Sequence, residues 1–173
     1  MIVTSPQAFL LIHLGLGALL VHGLAGGVAT LYRQELSRTG ELVRKVSAVG
    51  MAAVAWATAW TGTWLVYPGY RAPAAGPDLD RFPKQALITT PETALWHEFG
   101  MEWKEHVAWL TPFLATAVAY AVLIHPRLIE RDARVRRTVA TLFVVAFVAA
   151  LVAGGLGAAI NKVAPNDFLG GAT

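Results

Sequence analysis

The sequence predicts an all-α protein: a four-transmembrane-helix bundle with both termini extracytoplasmic and the third helix extended at its outer end. Three observations predict it. Of the 173 residues 55% are hydrophobic and 14% charged, against roughly 25% charged in an average soluble chain. The apolar residues gather into four runs, each near the ~20 residues that cross a bilayer as a helix. Lys and Arg concentrate in two short connectors, which the positive-inside tendency assigns to the cytoplasm. A single integral membrane domain over residues 1–173 follows.

The first span, 8–32, is apolar and ends at Arg33, which reads as a cytoplasmic stop. Residues 1–7 carry no positive side chain. The apolar stretch also exceeds the about 7–15 residues of a signal sequence, so it reads as a span and not a cleaved leader. The connector 33–45 holds Arg33, Arg38, Arg44 and Lys45 against two acids, and the second span follows at 46–67. The outer connector, 68–104, carries four basic and five acidic residues. It opens with Pro68, Gly69, Pro73, Gly76 and Pro77, which favour irregular backbone. From Pro91 a surface helix is expected, with Thr90 as N-cap and Glu92 in the first turn. It should run through TALWHEFGMEWKEH into the third span, 105–124, for about 33 residues or ~50 Å. Pro112 is the expected kink. His125, followed by Pro126, ends this helix, where an imidazole suits the dipole. The connector 125–137 holds Arg127, Arg131, Arg134, Arg136 and Arg137 against two acids. The fourth span, 138–160, carries Gly154, Gly155 and Gly157 near its outer end, then Asn161 and Lys162.

The absence of cysteine excludes disulfides, thiolate zinc sites, iron–sulfur clusters and covalently attached c-type haem. The net charge of +3 lies in short loops and gives no sign of a nucleic-acid partner. The lipid bilayer is the expected surrounding, in a bacterial inner membrane.

Ionisable side chains are costly inside a bilayer and mark candidate sites by default. His13 and His22 lie nine residues apart in the first span; His97 and His106, again nine apart, lie where the third begins. Counted up from Tyr32 and Ile124, His13 and His106 stand roughly 27–29 Å high, at the outer edge of a ~30 Å hydrocarbon layer. His22 stands near mid-membrane and His97 outside. At about 100° per residue, each pair points to opposite sides of its helix. The face of His22 carries Gly15, Ala18, Ala25, Gly26 and Ala29, small residues suited to helix packing. The face of His13 carries Leu10, Leu20 and Leu24 and reads as lipid contact.

Paired imidazoles between transmembrane helices suit a haem or a metal ion. Depth pairs His13 with His106, while helix face promotes His22 as the buried partner. A two-haem scheme, His13 with His97 and His22 with His106, is opposed by the rotation within each pair. For His22 the plain alternative is a hydrogen bond to Thr58, Thr61 or a Trp of a neighbouring helix, with no cofactor.

The second span carries Trp56, Trp60, Trp64 and Tyr67 on one face, a ridge that could pack on a porphyrin or a quinone ring. For Trp64, Tyr67 and Tyr70 an interfacial belt is the simpler expectation. Arg71 stands where haem propionates would want a cation, with Lys104 or Lys162 beside it; an ion pair with Glu98, Glu102 or Glu105 is the alternative. Those three acids and His106 recur at three- and four-residue spacing. With His22 they form a candidate metal set (His22, His106, Glu98, Glu102, Glu105), or a proton-loading cluster.

The combination of TGTWLVYPGYR with EWKEH looks like that of small bacterial four-helix membrane proteins. At the level of class the chain is similar to compact b-type cytochromes with four helices. The likeness rests on histidine placement over the whole architecture, and no residue role is carried over from it. The leading expectation is a membrane b-type cytochrome or cytochrome-like subunit. It would pass electrons between quinol and an extracytoplasmic redox partner, with haem b and possible use of quinone. Its cofactor residues would be His13, His22, His97, His106, Arg71, Trp60 and Trp64. The alternatives are a cofactor-free accessory or assembly subunit bound to other subunits of a respiratory membrane complex, and a metal- or proton-handling membrane protein. No nucleophile–base or group-transfer motif is present, so electron transfer or an accessory role is expected over stand-alone catalysis.

Overall fold

The structure is a computed structural model that describes residues 5–32, 37–73 and 82–164, and the described chain is helical without strands. Arg33, Gly76, Pro77 and the side chains of Ala25 and Gly26, named above, lie outside the described residues. In chain order the helices are α1 (Ser5–Leu31), α2 (Arg38–Tyr70), α3 (Pro83–Thr89), α4 (Pro91–Ile124), α5 (Pro126–Arg131) and α6 (Ala133–Val163). Four helices, α1, α2, α4 and α6, are long and apolar enough to cross a membrane.

Two spans begin earlier than hydropathy alone suggests, because polar caps extend them. α2 starts at Arg38, where the Ser37 hydroxyl accepts from the Gly40 amide at 3.2 Å. Glu41 and Lys45 then pair along its first turns at 2.6 Å. α6 starts at Ala133, where the Asp132 carboxylate accepts from the amides of Arg134 (2.7 Å) and Val135 (3.4 Å). α4 starts at Pro91 as expected and continues to Ile124. Thr90 precedes it in extended backbone, but its hydroxyl makes no cap bond. Pro112 lies inside the continuous helix and is buried. The unexpected departures are two π-helical turns, Gly62–Val66 in α2 and Trp96–Met101 in α4. Such turns insert one extra residue and recur at functional sites.

The four long helices pack in a ring, α1 on α2, α2 on α4, α4 on α6 and α6 back on α1. Lipid tails are as apolar as leucine, so close packing holds such a bundle together. The core is accordingly rich in alanine (Ala48, Ala55, Ala115, Ala119, Ala140, Ala146), with Leu24, Val118, Val122 and Phe143 between. At Gly27 a Cβ atom would stand 2.6 Å from the Phe143 ring and 2.8 Å from the Met51 methyl, so the approach of α1 requires glycine. A second cluster, Tyr70, Leu87, Met101, Ile160 and Ala164, joins α3 to the ends of α2, α4 and α6. We call this the polar end, since the candidate acids and Arg71 lie beside it. The opposite, basic end carries the arginine connectors. There the nearly buried Arg44 donates to Glu130 of α5 at 2.9 Å, tying α5 to α2.

Gly27→Ala should overpack this contact and lower stability by about 1–3 kcal/mol. Gly50→Ala, where a Cβ meets nothing within 4 Å, should leave it unchanged. Denaturation by graded detergent exchange measures both; equal stability of the two variants would show that α1 does not pack as described.

Candidate functional site

The polar end gathers side chains from α1, α2, α4 and α6. His13 enters from α1. The Thr61 hydroxyl donates to the Ala57 carbonyl at 2.8 Å, so at 3.2 Å from His13 Nδ1 it accepts the ring N–H. The ring fits because residue 62 is glycine: a Cβ there would stand 2.7 Å from His13 Cε1. Gly62 has ordinary helical backbone, so it is chosen for space and not for conformational freedom.

The π turn that begins at Gly62 redirects the end of α2. Beyond it, Tyr67 and Tyr70 stack at 6.1 Å between ring centroids. The Arg71 guanidinium stands 5.0 Å above the Tyr67 ring. Arg71 Nη2 reaches Glu102 at 3.5 Å and Glu105 at 3.8 Å. These are long ion pairs between partly exposed groups and hold the cluster loosely. Glu105 Oε1 is itself buried and makes no hydrogen bond.

From the π turn of α4 comes His97, whose Nδ1 is hydrogen-bonded to the buried Tyr70 hydroxyl at 2.8 Å. Lys104 extends across to α6, where its Cε lies 3.0 Å from the place a Cβ would take at Gly157. Gly157 thus makes room for a lysine side chain.

The other sequence candidates lie outside this cluster. His22 is exposed on α1, and its Nδ1 donates to the Ala18 carbonyl at 2.7 Å. His106 is exposed on α4, with Nδ1 donating to the Glu102 carbonyl at 2.7 Å. His22 was expected to be the buried member of α1 and His13 the lipid-facing one; the structure reverses them. The leucine face (Leu20, Leu24, Leu31) is the packed one, and His13 shares it. The histidines therefore do not face one another across the bundle interior. Trp60 and Trp64 are 55% and 61% exposed. Trp56 donates to Thr116 at 3.0 Å and packs edge-on against Trp109 and Phe113, so the ridge meets α4 and lipid.

The proposed metal set is not assembled. Among the described residues no group of three or more His, Asp or Glu side chains is placed to hold a metal ion. The reason is rotational: His22 and His106 lie on outer helix faces, Glu98 is exposed, and Glu102 and Glu105 turn to Arg71. Thr61 was expected as a partner of His22 and instead bonds His13, while Gly62 was missed as a site residue.

Comparison with protein-family models, with curated proteins and with solved structures finds no match for this chain.

Tyr70→Phe removes the bond to His97 and should lower stability by about 1 kcal/mol, with a shift of the His97 ring resonances. Tyr120→Phe, at an exposed ring, should do neither. Identical melting curves and His97 spectra for the two variants would refute the Tyr70–His97 bond.

Proposed function

We propose that the protein is a multi-pass membrane subunit that takes up and releases protons at its polar end. On this proposal that end faces outward from a bacterial inner membrane, and the basic end faces the cytoplasm. The observation that supports it most is Glu105, whose Oε1 is buried without a hydrogen bond and 3.8 Å from Arg71. That burial sets Glu105 apart from the exposed Glu98 one helical stretch earlier. Glu102 and Arg71 are partly exposed and connect this oxygen to outside water. Towards the basic end the core is apolar, through Val118, Val122, Phe143 and Ala146. Protons therefore exchange with one side only, which suits a loading site serving a partner subunit or a lipid-borne substrate more than a channel.

The test is infrared difference spectroscopy across a pH titration of the purified protein. A carboxyl C=O band that titrates, disappears in Glu105→Gln and survives in Glu98→Gln is expected. A titration spectrum unchanged by Glu105→Gln would remove Glu105 from the proposal.

Electron transfer through haem b remains a second proposal, favoured by one feature. His22 and His106 each donate Nδ1–H to a carbonyl, which leaves Nε2 as a free lone pair, the state an iron ligand needs. A haem held there would lie between this chain and a neighbouring subunit. A dithionite-minus-oxidised spectrum with a b-type α-band lost in His22→Ala and His106→Ala is the expected result. A band that survives both substitutions overturns the ligand assignment.

A further inference from the structure

On the outer side of the α1–α2 pair runs an open groove of about 460 Å³, within the roughly 300–1,000 Å³ of small-molecule sites. It is lined by Leu19, Gly23, Gly50, Met51 and Val54, with His22 on its wall and no charged side chain along it. Glycine gives it flat surfaces, and at Gly50 nothing lies within 4 Å of where a Cβ would be.

His22 decides what this groove can hold. Its Nδ1 sits 2.7 Å from the Ala18 carbonyl, which only accepts, so Nδ1 carries the ring proton. Nε2 is then a bare acceptor. It lies ten residues from Tyr32, roughly 15 Å into the hydrocarbon and beyond the reach of bulk water. Among the described residues no donor is recorded on it: of the two hydroxyls on the groove, Thr30 donates to the Gly27 carbonyl at 2.7 Å and Ser47 makes no recorded bond to His22. Phospholipid acyl chains would fill the groove but offer no donor. An occupant that satisfies both features is flat, lipid-soluble and carries a hydroxyl.

We propose that the groove binds the head group of a prenylated quinol. One quinol hydroxyl donates to His22 Nε2, the ring lies along Gly23, Gly50 and Met51, and the prenyl tail follows the apolar helix faces. The oxidised quinone carries only acceptors at these positions, so it cannot make this bond and leaves Nε2 unpaired. The site thus discriminates between redox states of one molecule without carrying out a redox step. It depends on neither Glu105 nor the polar end, so its success or failure leaves the proton-loading proposal standing; it excludes haem ligation by His22, because one lone pair serves only one of the two.

The experiment is anaerobic equilibrium binding of a short-tailed benzoquinol and its quinone to the full chain in nanodiscs, with empty nanodiscs as the blank. Saturable quinol binding is expected, tighter than quinone by about tenfold, the worth of one good hydrogen bond. His22→Leu should weaken quinol by that factor, leave quinone unchanged and so abolish the preference. Gly50→Leu fills open space and should remove binding of both while the melting curve is kept. Binding no greater than the blank, equal affinity for quinol and quinone, or a quinol affinity unaltered by His22→Leu each overturns the proposal. So does quinol binding that survives Gly50→Leu, which would place the ligand elsewhere.

Discussion

A bilayer withholds the force that folds soluble proteins: a leucine gains little by leaving lipid for the interior of a helix bundle. The rest of this structure depends on that constraint. The helices associate where small side chains let backbones approach and where polar groups must find partners. Alanine fills the interior, and Gly27 lets α1 settle against Phe143 and Met51. Polar links then join the helices, from Thr111 to the Ala146 carbonyl, Trp56 to Thr116 and His13 to Thr61. Arg44 and Glu130 close the basic end. Each is modest in water; in hydrocarbon the alternative to each is an unpaired polar group.

The same constraint explains where the helices depart from regularity. Backbone polar groups in lipid must stay paired within their helix, so a helix can change direction only by re-pairing and not by opening. A π turn does this by inserting one residue. In α2 the π turn Gly62–Val66 separates Thr61, which faces α1, from Tyr67, Tyr70 and Arg71, which face α4. In α4 the π turn Trp96–Met101 lies between Leu95 and the Glu102–Glu105 turn. Both turns lie towards the polar end, and there the bundle can seat charged and aromatic groups that the alanine-packed middle could not.

Much of this was legible in the sequence. Apolar length locates the spans, and the gathering of Arg71, Glu102, Glu105 and Lys104 near one end follows from counting along them. The ion pairs of Arg71 with Glu102 and Glu105 were among the expected alternatives. The rotation of α1 was not legible. Small residues around His22 suggested an inward face, yet Leu20, Leu24 and Leu31 point inward. Hydropathy separates lipid from water, but it does not separate lipid from protein, so the moment of such a helix gives little direction. The π turns were equally hidden, because they shift the helical phase that any spacing argument assumes. A glycine, likewise, announces space without saying what enters: Gly157 admits Lys104 and Gly62 admits His13.

The tautomers of the histidines draw these points together. His13 and His97 bond across to other helical segments, through Thr61 and Tyr70, and so serve the architecture of the polar end. Among the described residues His22 and His106 bond to carbonyls of their own helices, which leaves Nε2 of each as an acceptor. A ring nitrogen without a donor, on a helix face that borders hydrocarbon, is unfavourable unless something supplies a proton or an electron-pair acceptor. The histidines bonded across helices therefore hold the polar end together, while His22 and His106 take no part in that packing.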